Sequence, residues 1–222
     1  MNYSEQLFWR RAKNLYLAWQ NAEDPDFKRL WMDKLQMLMQ GVDKPTLNWY
    51  NTYMNIFYLH NDPKICAELH VDKHVVKMIV EYAQLLSTAK RMTDGIKYEA
   101  KSKTGRKVQR YRLENPNEEA TIYKAVHYHH PSAVWARSSS QHYNWLYTLF
   151  RELGKEYTHR YNKDHSTIEL LKELLSHPPV NLKDNGWQEP PPAMSHYPQC
   201  IVQGDSIQSY KNYYNEAKAY FA

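Results

Sequence analysis

Between Pro63 and Ser87 the apolar and polar positions separate into two stripes at helical spacing. Ile65, Leu69, Val76, Ile79, Val80, Ala83 and Leu86 fall on one side, which predicts a single amphipathic helix with that stripe toward a core. His70, Lys73, His74, Lys77, Glu81 and Gln84 recur three and four residues apart on the other, so they share a face. A solvated helix face usually mixes Lys and Glu. This one sets two imidazoles, two amines, a carboxylate and an amide in line, as a site does. Asp62-Pro63 supplies the helix start, with Asp as N-cap and Pro at the first helical position. The apolar run Met54-Asn-Ile-Phe-Tyr-Leu before it is either a strand or a buried lead-in.

The same patterning organises the rest of the chain. Residues 3–21 and 26–40 read as two helices around Asp24-Pro25, closed by Lys44-Pro45. Residues 95–113 change period and read as a β-hairpin with its turn near Thr104-Gly105. Residues 117–126 read as helix. A long helix is expected from about Ser132 to Tyr161, its inner stripe including His142, Leu146, Leu149, Phe150, Leu153 and Tyr157. Another starts at Ser166, with Glu169 completing a capping box, and stops at His177-Pro178-Pro179. Residues 178–204 form a Pro-rich connector, and Asp205-Ser206 caps a last helix, Ile207–Phe221. The expected architecture is mainly α: an N-terminal helical-pair extension over residues 1–50, then a compact helical domain over 54–222 with one basic hairpin.

Charge sharpens the picture. The chain carries +5 in all, yet Lys90 to Arg112 holds nine basic residues against Asp94 and Glu99, which leaves about −2 for everything else. A basic ribbon bearing Lys101, Lys103, Arg106, Lys107, Arg110 and Arg112 suits a phosphate backbone; it equally suits a solvated loop whose charges protect an edge strand. With 19 Tyr and 7 Trp, the chain is rich in rings that can stack on bases or fill a helical core. Only six glycines, and neither a GxGxxG nor a GxxxxGK(S/T) pattern, argue against a Gly-rich phosphate loop, and no cofactor is expected. Two cysteines, Cys66 and Cys200, make neither a disulfide framework nor a metal cluster; Cys66 suits a small core position. With no signal peptide and no long apolar run, the expectation is a cytoplasmic protein that does not enter a membrane.

Two chemistries fit the polar stripe. His70 and His74, at i and i+4, could chelate one ion, with His127, His129 and His130 as further donors, but Lys73 and Lys77 would repel a cation, and no metal is expected. Alternatively, a lysine beside other cations in a desolvated place becomes a nucleophile. A carboxylate one turn away, as Glu81 is from Lys77, can then move its protons. The same spacing also describes an ordinary Lys77–Glu81 salt bridge.

Asp72-Lys73-His74-Val75, with Glu81 seven residues after His74, resembles the first helix of the phage pyrimidine-dimer DNA glycosylase family of endonuclease V type. Met54-Asn-Ile-Phe, the tail from Tyr210 with Tyr213 and Tyr214, and the stretch His130-Pro131 to Trp135-Ala-Arg137 are similar to that family's patches in the same order. Together they cover about a quarter of the chain. The resemblance implies a phage protein in the host cytoplasm that acts on a pyrimidine nucleotide in DNA, with Glu81 as catalytic carboxylate. It implies that His74 and Lys77 hold DNA backbone or a flipped nucleotide, and that Trp135, Arg137, Tyr213 and Tyr214 touch DNA. His70 and His142 are expected beside them if the stripe lines a groove. The family's nucleophile is an N-terminal α-amine close to the glutamate. Here about 53 residues precede the matching segment, which leaves three routes: translation or processing that exposes the chain near Met54, Lys73 or Lys77 in place of the α-amine, or a scaffold that has lost lyase chemistry and acts differently on pyrimidines in DNA. Two other functions remain open: a DNA base-hypermodification enzyme on the same scaffold, and a non-enzymatic module binding nucleic acid or, through residues 1–50, a host protein.

Overall fold

The computed structural model describes residues 55–102, 105–195 and 197–218. The helices expected at 3–21 and 26–40, the extension over residues 1–50, and Met54, Lys103, Thr104 and Tyr220 lie outside the described residues. Within them, seven α-helices and one two-stranded hairpin follow in order: α1 Pro63–Glu68, α2 Asp72–Asp94, β1 Ile96–Lys101, β2 Lys107–Arg112, α3 Pro116–Thr121, α4 Pro131–Ala136, α5 Ser140–Tyr161, α6 Ser166–Leu171 and α7 Ser206–Ala217. The class is mainly α with one β-hairpin, as the patterning predicts.

α2 and α5 pack together as the central pair, with α1 against α5 and both α4 and α6 against α2. The α2 residues Val75, Met78, Ile79, Tyr82, Leu85, Leu86 and Ala89 are buried, as are Leu146, Leu149, Phe150 and Leu153 of α5. Burial of such side chains contributes about 1.5–3 kcal/mol each before the entropy of ordering is counted. The segment 55–59 is the buried lead-in, not a strand. Its backbone is satisfied by side chains: Phe57 N donates to Tyr82 Oη (3.1 Å), and Cys66 Sγ donates to Phe57 O (3.2 Å) while accepting from Leu59 N (3.4 Å).

The single helix expected over 63–87 is two. Asp62 caps α1 as predicted, accepting from Lys64 N and Ile65 N, but the chain breaks at Leu69–Val71, where Val71 is extended (φ −65°, ψ 152°). No Gly or Pro marks the break. It is held from a distance by Arg160 of α5, which donates to the carbonyls of Glu68 (3.0 Å) and His70 (2.7 Å) and to the Asp72 carboxylate (2.8 Å). The break resets the helical phase, so Ile65, Leu69 and Val76 are exposed rather than core.

The long helix expected from about Ser132 is likewise two, parted at Arg137–Ser139, where Ser139 caps α5 through Gln141 N (3.3 Å). The helix expected over 117–126 ends at Thr121. Its following carbonyls turn instead to the buried guanidinium of Arg91, which takes the backbone oxygens of Tyr111, Glu119, Ile122 and Tyr123 and the Glu119 carboxylate. At α6 the cap is the His165 imidazole, accepting from Thr167 N (3.2 Å), not a Ser166–Glu169 capping box, and the helix stops at Leu171. Asp205 caps α7 by accepting from Gln208 N (2.8 Å).

The hairpin is antiparallel with Ile96 opposite Arg112 and Lys101 opposite Lys107. Gly105, at φ +78°, serves its turn in a conformation that favours glycine. Gly95 joins α2 to β1 so tightly that a Cβ there would stand 2.3 Å from Arg91 O.

Candidate active site

α2 does not present its polar residues as one stripe. His74 and Glu81 turn inward among the core residues, while Lys73 and Lys77 face outward. Lys77 Nζ lies 2.9 Å from Glu81 Oε1, its side chain 57% exposed against 4% for Glu81. Among the described residues Lys77 is the only charged partner of the Glu81 carboxylate, and nothing else there hydrogen-bonds to it. Burial pushes the Glu81 carboxyl above its ordinary range, and Lys77 draws it back only in part. Gln84 is half-buried one turn on.

His74 stacks on Phe57, ring centroids 4.3 Å apart, and its Nδ1 lies 2.7 Å from Tyr214 Oη on α7. Burial, then the charges of His70, Lys218 and Lys77, hold its pKa down to about 3, so the ring is neutral at pH 7. Phe57 also lies parallel to Tyr213, ring centroids 6.2 Å apart. Lys218 Nζ stands 5.3 Å from the Tyr213 ring centroid. Burial and Lys77 lower its amine pKa. Tyr210, Tyr213, Tyr214 and Ala217 fall on one side of α7, which carries the tyrosine rings to Phe57 and His74. The sequence reading gave Tyr213 and Tyr214 to DNA and passed over Lys218, although it lies in the same tail, four residues after Tyr214.

His70, expected beside DNA, belongs to the break after α1 and is buried. A carbonyl can only accept, so its Nδ1 donates to Cys66 O (2.7 Å), and Nε2 accepts from Tyr82 Oη (3.0 Å). The pKa falls to about 4 through burial. Both ring nitrogens are taken, and as it stands His70 offers neither to a ligand.

Trp135 and His142 are also turned in. Their rings stack at 4.4 Å. Trp135 Nε1 donates to Gln188 O (2.8 Å), and His142 Nε2 accepts from Gln188 N (2.8 Å). With Nε2 accepting, Nδ1 carries the proton and faces Trp135 O (3.0 Å) and Ser138 Oγ (2.8 Å). The pair therefore anchors the irregular chain after α6. Arg137 donates through Nη2 to Tyr128 O and is half-buried.

The hairpin bases do lie outward. Lys101, Arg106, Lys107 and Arg112 are exposed and Arg110 half-buried. Strand alternation splits them: Arg110 and Arg112 share a face with Tyr98, and Lys101 and Lys107 share the opposite face with Lys97 and Glu99. Lys107 Nζ reaches Glu99 Oε2 at 3.5 Å, both side chains exposed. Both cysteines are free and buried. Among the described residues no group of three or more His, Cys, Asp or Glu is placed to hold a metal ion, His127, His129 and His130 included, and no helix is long and apolar enough to cross a membrane. Comparison with protein-family models, curated proteins and solved structures finds no match to this chain.

Proposed function

We propose that this protein is a DNA-acting enzyme of the glycosylase/AP-lyase type, working on a pyrimidine nucleotide with an amine and the Glu81 carboxylate. The observation that carries this reading is Glu81 itself: a buried carboxylate whose one charged neighbour among the described residues is an exposed ammonium 2.9 Å away. Such a group costs stability and returns little to the fold. It is what a proton-transfer step uses: a carboxyl whose burial raises its pKa above the ordinary range. The exposed basic hairpin supports DNA as the partner, because phosphate contacts position a duplex without reading its sequence. The resemblance of the His74–Glu81 segment to the pyrimidine-dimer glycosylases supports the reaction class. The target nucleotide would leave the stack to reach the site.

Borohydride trapping tests this. Duplexes carrying abasic sites, pyrimidine dimers or modified pyrimidines are incubated with protein and reductant. A covalent protein–DNA complex that Glu81→Gln abolishes is expected. No complex, together with altered nucleosides by mass analysis, means base modification instead. No complex and no altered nucleoside, with binding that needs Arg106, Lys107 and Arg110, means a binding protein.

A further inference from the structure

We propose that the loop 127–130, together with the hairpin face that meets it, binds an unpaired stretch of DNA, with phosphates on the hairpin lysines and bases on the loop rings. The choice of DNA rests on the reading above; nothing in this surface depends on the chemistry at Glu81.

The loop is fixed through its backbone. Just before it, Val126 N donates to Thr88 Oγ1 of α2 (3.2 Å). His130 N donates to His127 O (2.8 Å), which closes a turn. The Arg137 guanidinium donates to Tyr128 O, and the His130 ring caps α4 by accepting from Ser132 N (3.2 Å). His127 stands at φ +46°, a left-handed conformation uncommon outside glycine. Such backbone persists only where its surroundings hold it, and it gathers at ligand sites. His127, Tyr128, His129 and His130 line an open hollow of about 440 Å³. Its three imidazoles are not placed to hold a metal ion. As rings they suit another ligand: the Tyr128 and His129 centroids lie 4.8 Å apart at 63°, and aromatic side chains stack on any base. A turn already ordered loses little freedom when a base settles on it.

The hairpin meets this loop through one of its faces. The Tyr111 ring packs edge-on to Tyr128, centroids 6.2 Å apart, and its hydroxyl donates to Gln109 Oε1 (3.3 Å) on the same face. The register sets Lys97 opposite Tyr111, Glu99 opposite Gln109, and Lys101 opposite Lys107 on that face. All three lysines are exposed. From the Lys101–Lys107 pair to the Lys97–Tyr111 pair is four residues, about 13 Å, and the rings of Tyr128 and His129 continue from there. Glu99 is the one carboxylate on the face. It meets Lys107 at 3.5 Å with side chains 77% and 81% exposed, and a pair so exposed contributes little and yields to phosphate. Beside the loop, Arg137 Nη1 is buried without a hydrogen-bond partner among the described residues, and its charge adds to that of the lysines. Cations along a strand with rings at its end fit a backbone whose bases are turned out. In a duplex the base faces are stacked on one another and closed to Tyr128 and His129.

The test titrates the full chain into a fluorescently labelled oligothymidylate and into a labelled duplex of the same length. Tyr128→Leu and His129→Leu should each weaken single-strand binding at least fivefold, as the loss of one base–ring stack requires, and leave duplex binding at wild-type strength. Lys97→Gln and Lys101→Gln should each flatten the single-strand slope of log K against log salt by about 0.7, which neither ring change does. The His129 side chain is exposed, so its variant carries the test should Tyr128→Leu fail to fold. Wild-type single-strand affinity in whichever ring variant folds, equal losses on single strand and duplex, or no single-strand binding by the wild-type protein overturns the assignment. Borohydride trapping on an abasic duplex is read alongside. A wild-type cross-link without single-strand binding overturns this site and leaves the enzyme reading standing. Single-strand binding that needs the rings, without a cross-link, supports this site and removes the enzyme reading.

Discussion

Tyr214 Oη lies 2.7 Å from His74 Nδ1, a bond between residues 140 apart that fastens the last helix to the helix bearing Glu81. Removing that hydroxyl leaves a buried imidazole nitrogen short of its partner. Tyr214→Phe should lower stability by about 1–3 kcal/mol, the cost of leaving a buried polar group unsatisfied. The urea midpoint measures this, and an unchanged midpoint would show that the contact contributes nothing.

Glu81 should behave oppositely. Lys77 is exposed, so losing the carboxylate strands no buried charge. Glu81→Leu is expected to raise stability by about 1–2 kcal/mol while abolishing borohydride trapping. Loss of stability and activity together would mean that the carboxylate is structural.

Acid should weaken the fold before ordinary carboxylates titrate. His70 and His74 are held near pKa about 4 and about 3, against 6.5 when unfolded. Below pH 6.5 the unfolded chain therefore binds more protons than the folded one, and stability falls as pH drops toward those values, by up to about 1.4 kcal/mol per histidine per pH unit. Glu81 carries the opposite sign, because a raised pKa lets the folded state take up its proton first. Urea titrations from pH 7 to 4.5 should show a decline that becomes steeper in Glu81→Gln. A flat profile in both proteins would contradict the buried-neutral state of the two rings.

Arg91 is a packing element, not a DNA contact. Arg91→Met strips the guanidinium from four backbone carbonyls and the Glu119 carboxylate. A loss of about 3–5 kcal/mol is expected, as for breaking a buried ion pair. Thermal unfolding of the variant reads it directly.

The hairpin charges should show in the salt dependence of binding. Changing Arg106, Lys107 and Arg110 one at a time to Gln should each flatten the slope of log K against log salt by about 0.9 if that residue neutralises a phosphate on duplex DNA. Slopes equal to wild type would remove the ribbon from the interface.

Elements whose signals are local were legible in the sequence. Asp62 and Asp205 cap the helices they precede, and the hairpin falls where the period changes and Gly105 stands. The serine run 138–140 carried a signal for the break before α5 that the apolar stripe concealed. The break at Leu69–Val71 had none, because Arg160, ninety residues on, satisfies the freed carbonyls. Once that break resets the phase, a face drawn through 63–87 mixes two helices, which is why His70 looked like a neighbour of Lys77 and is instead a core connector. Trp135 and His142 looked like ligand-facing residues for the same reason: their partner, Gln188, is separated from them by two helices. Glu81 and Lys77 were legible because their relationship lies within one turn.

The tight junction at Gly95 makes α2 a ruler. Glu81 and Gly95 are joined by unbroken helix, fourteen residues at about 1.5 Å each, or about 20 Å. A side chain at Gly95 would meet the Arg91 carbonyl, so the ribbon begins within two residues of the helix end. A duplex running along α2, at about 3.4 Å per base pair, would meet the ribbon about six base pairs from the nucleotide at Glu81. On such a path the protein would keep a set distance between where it grips and where it reacts, fixed by helix length rather than by base sequence.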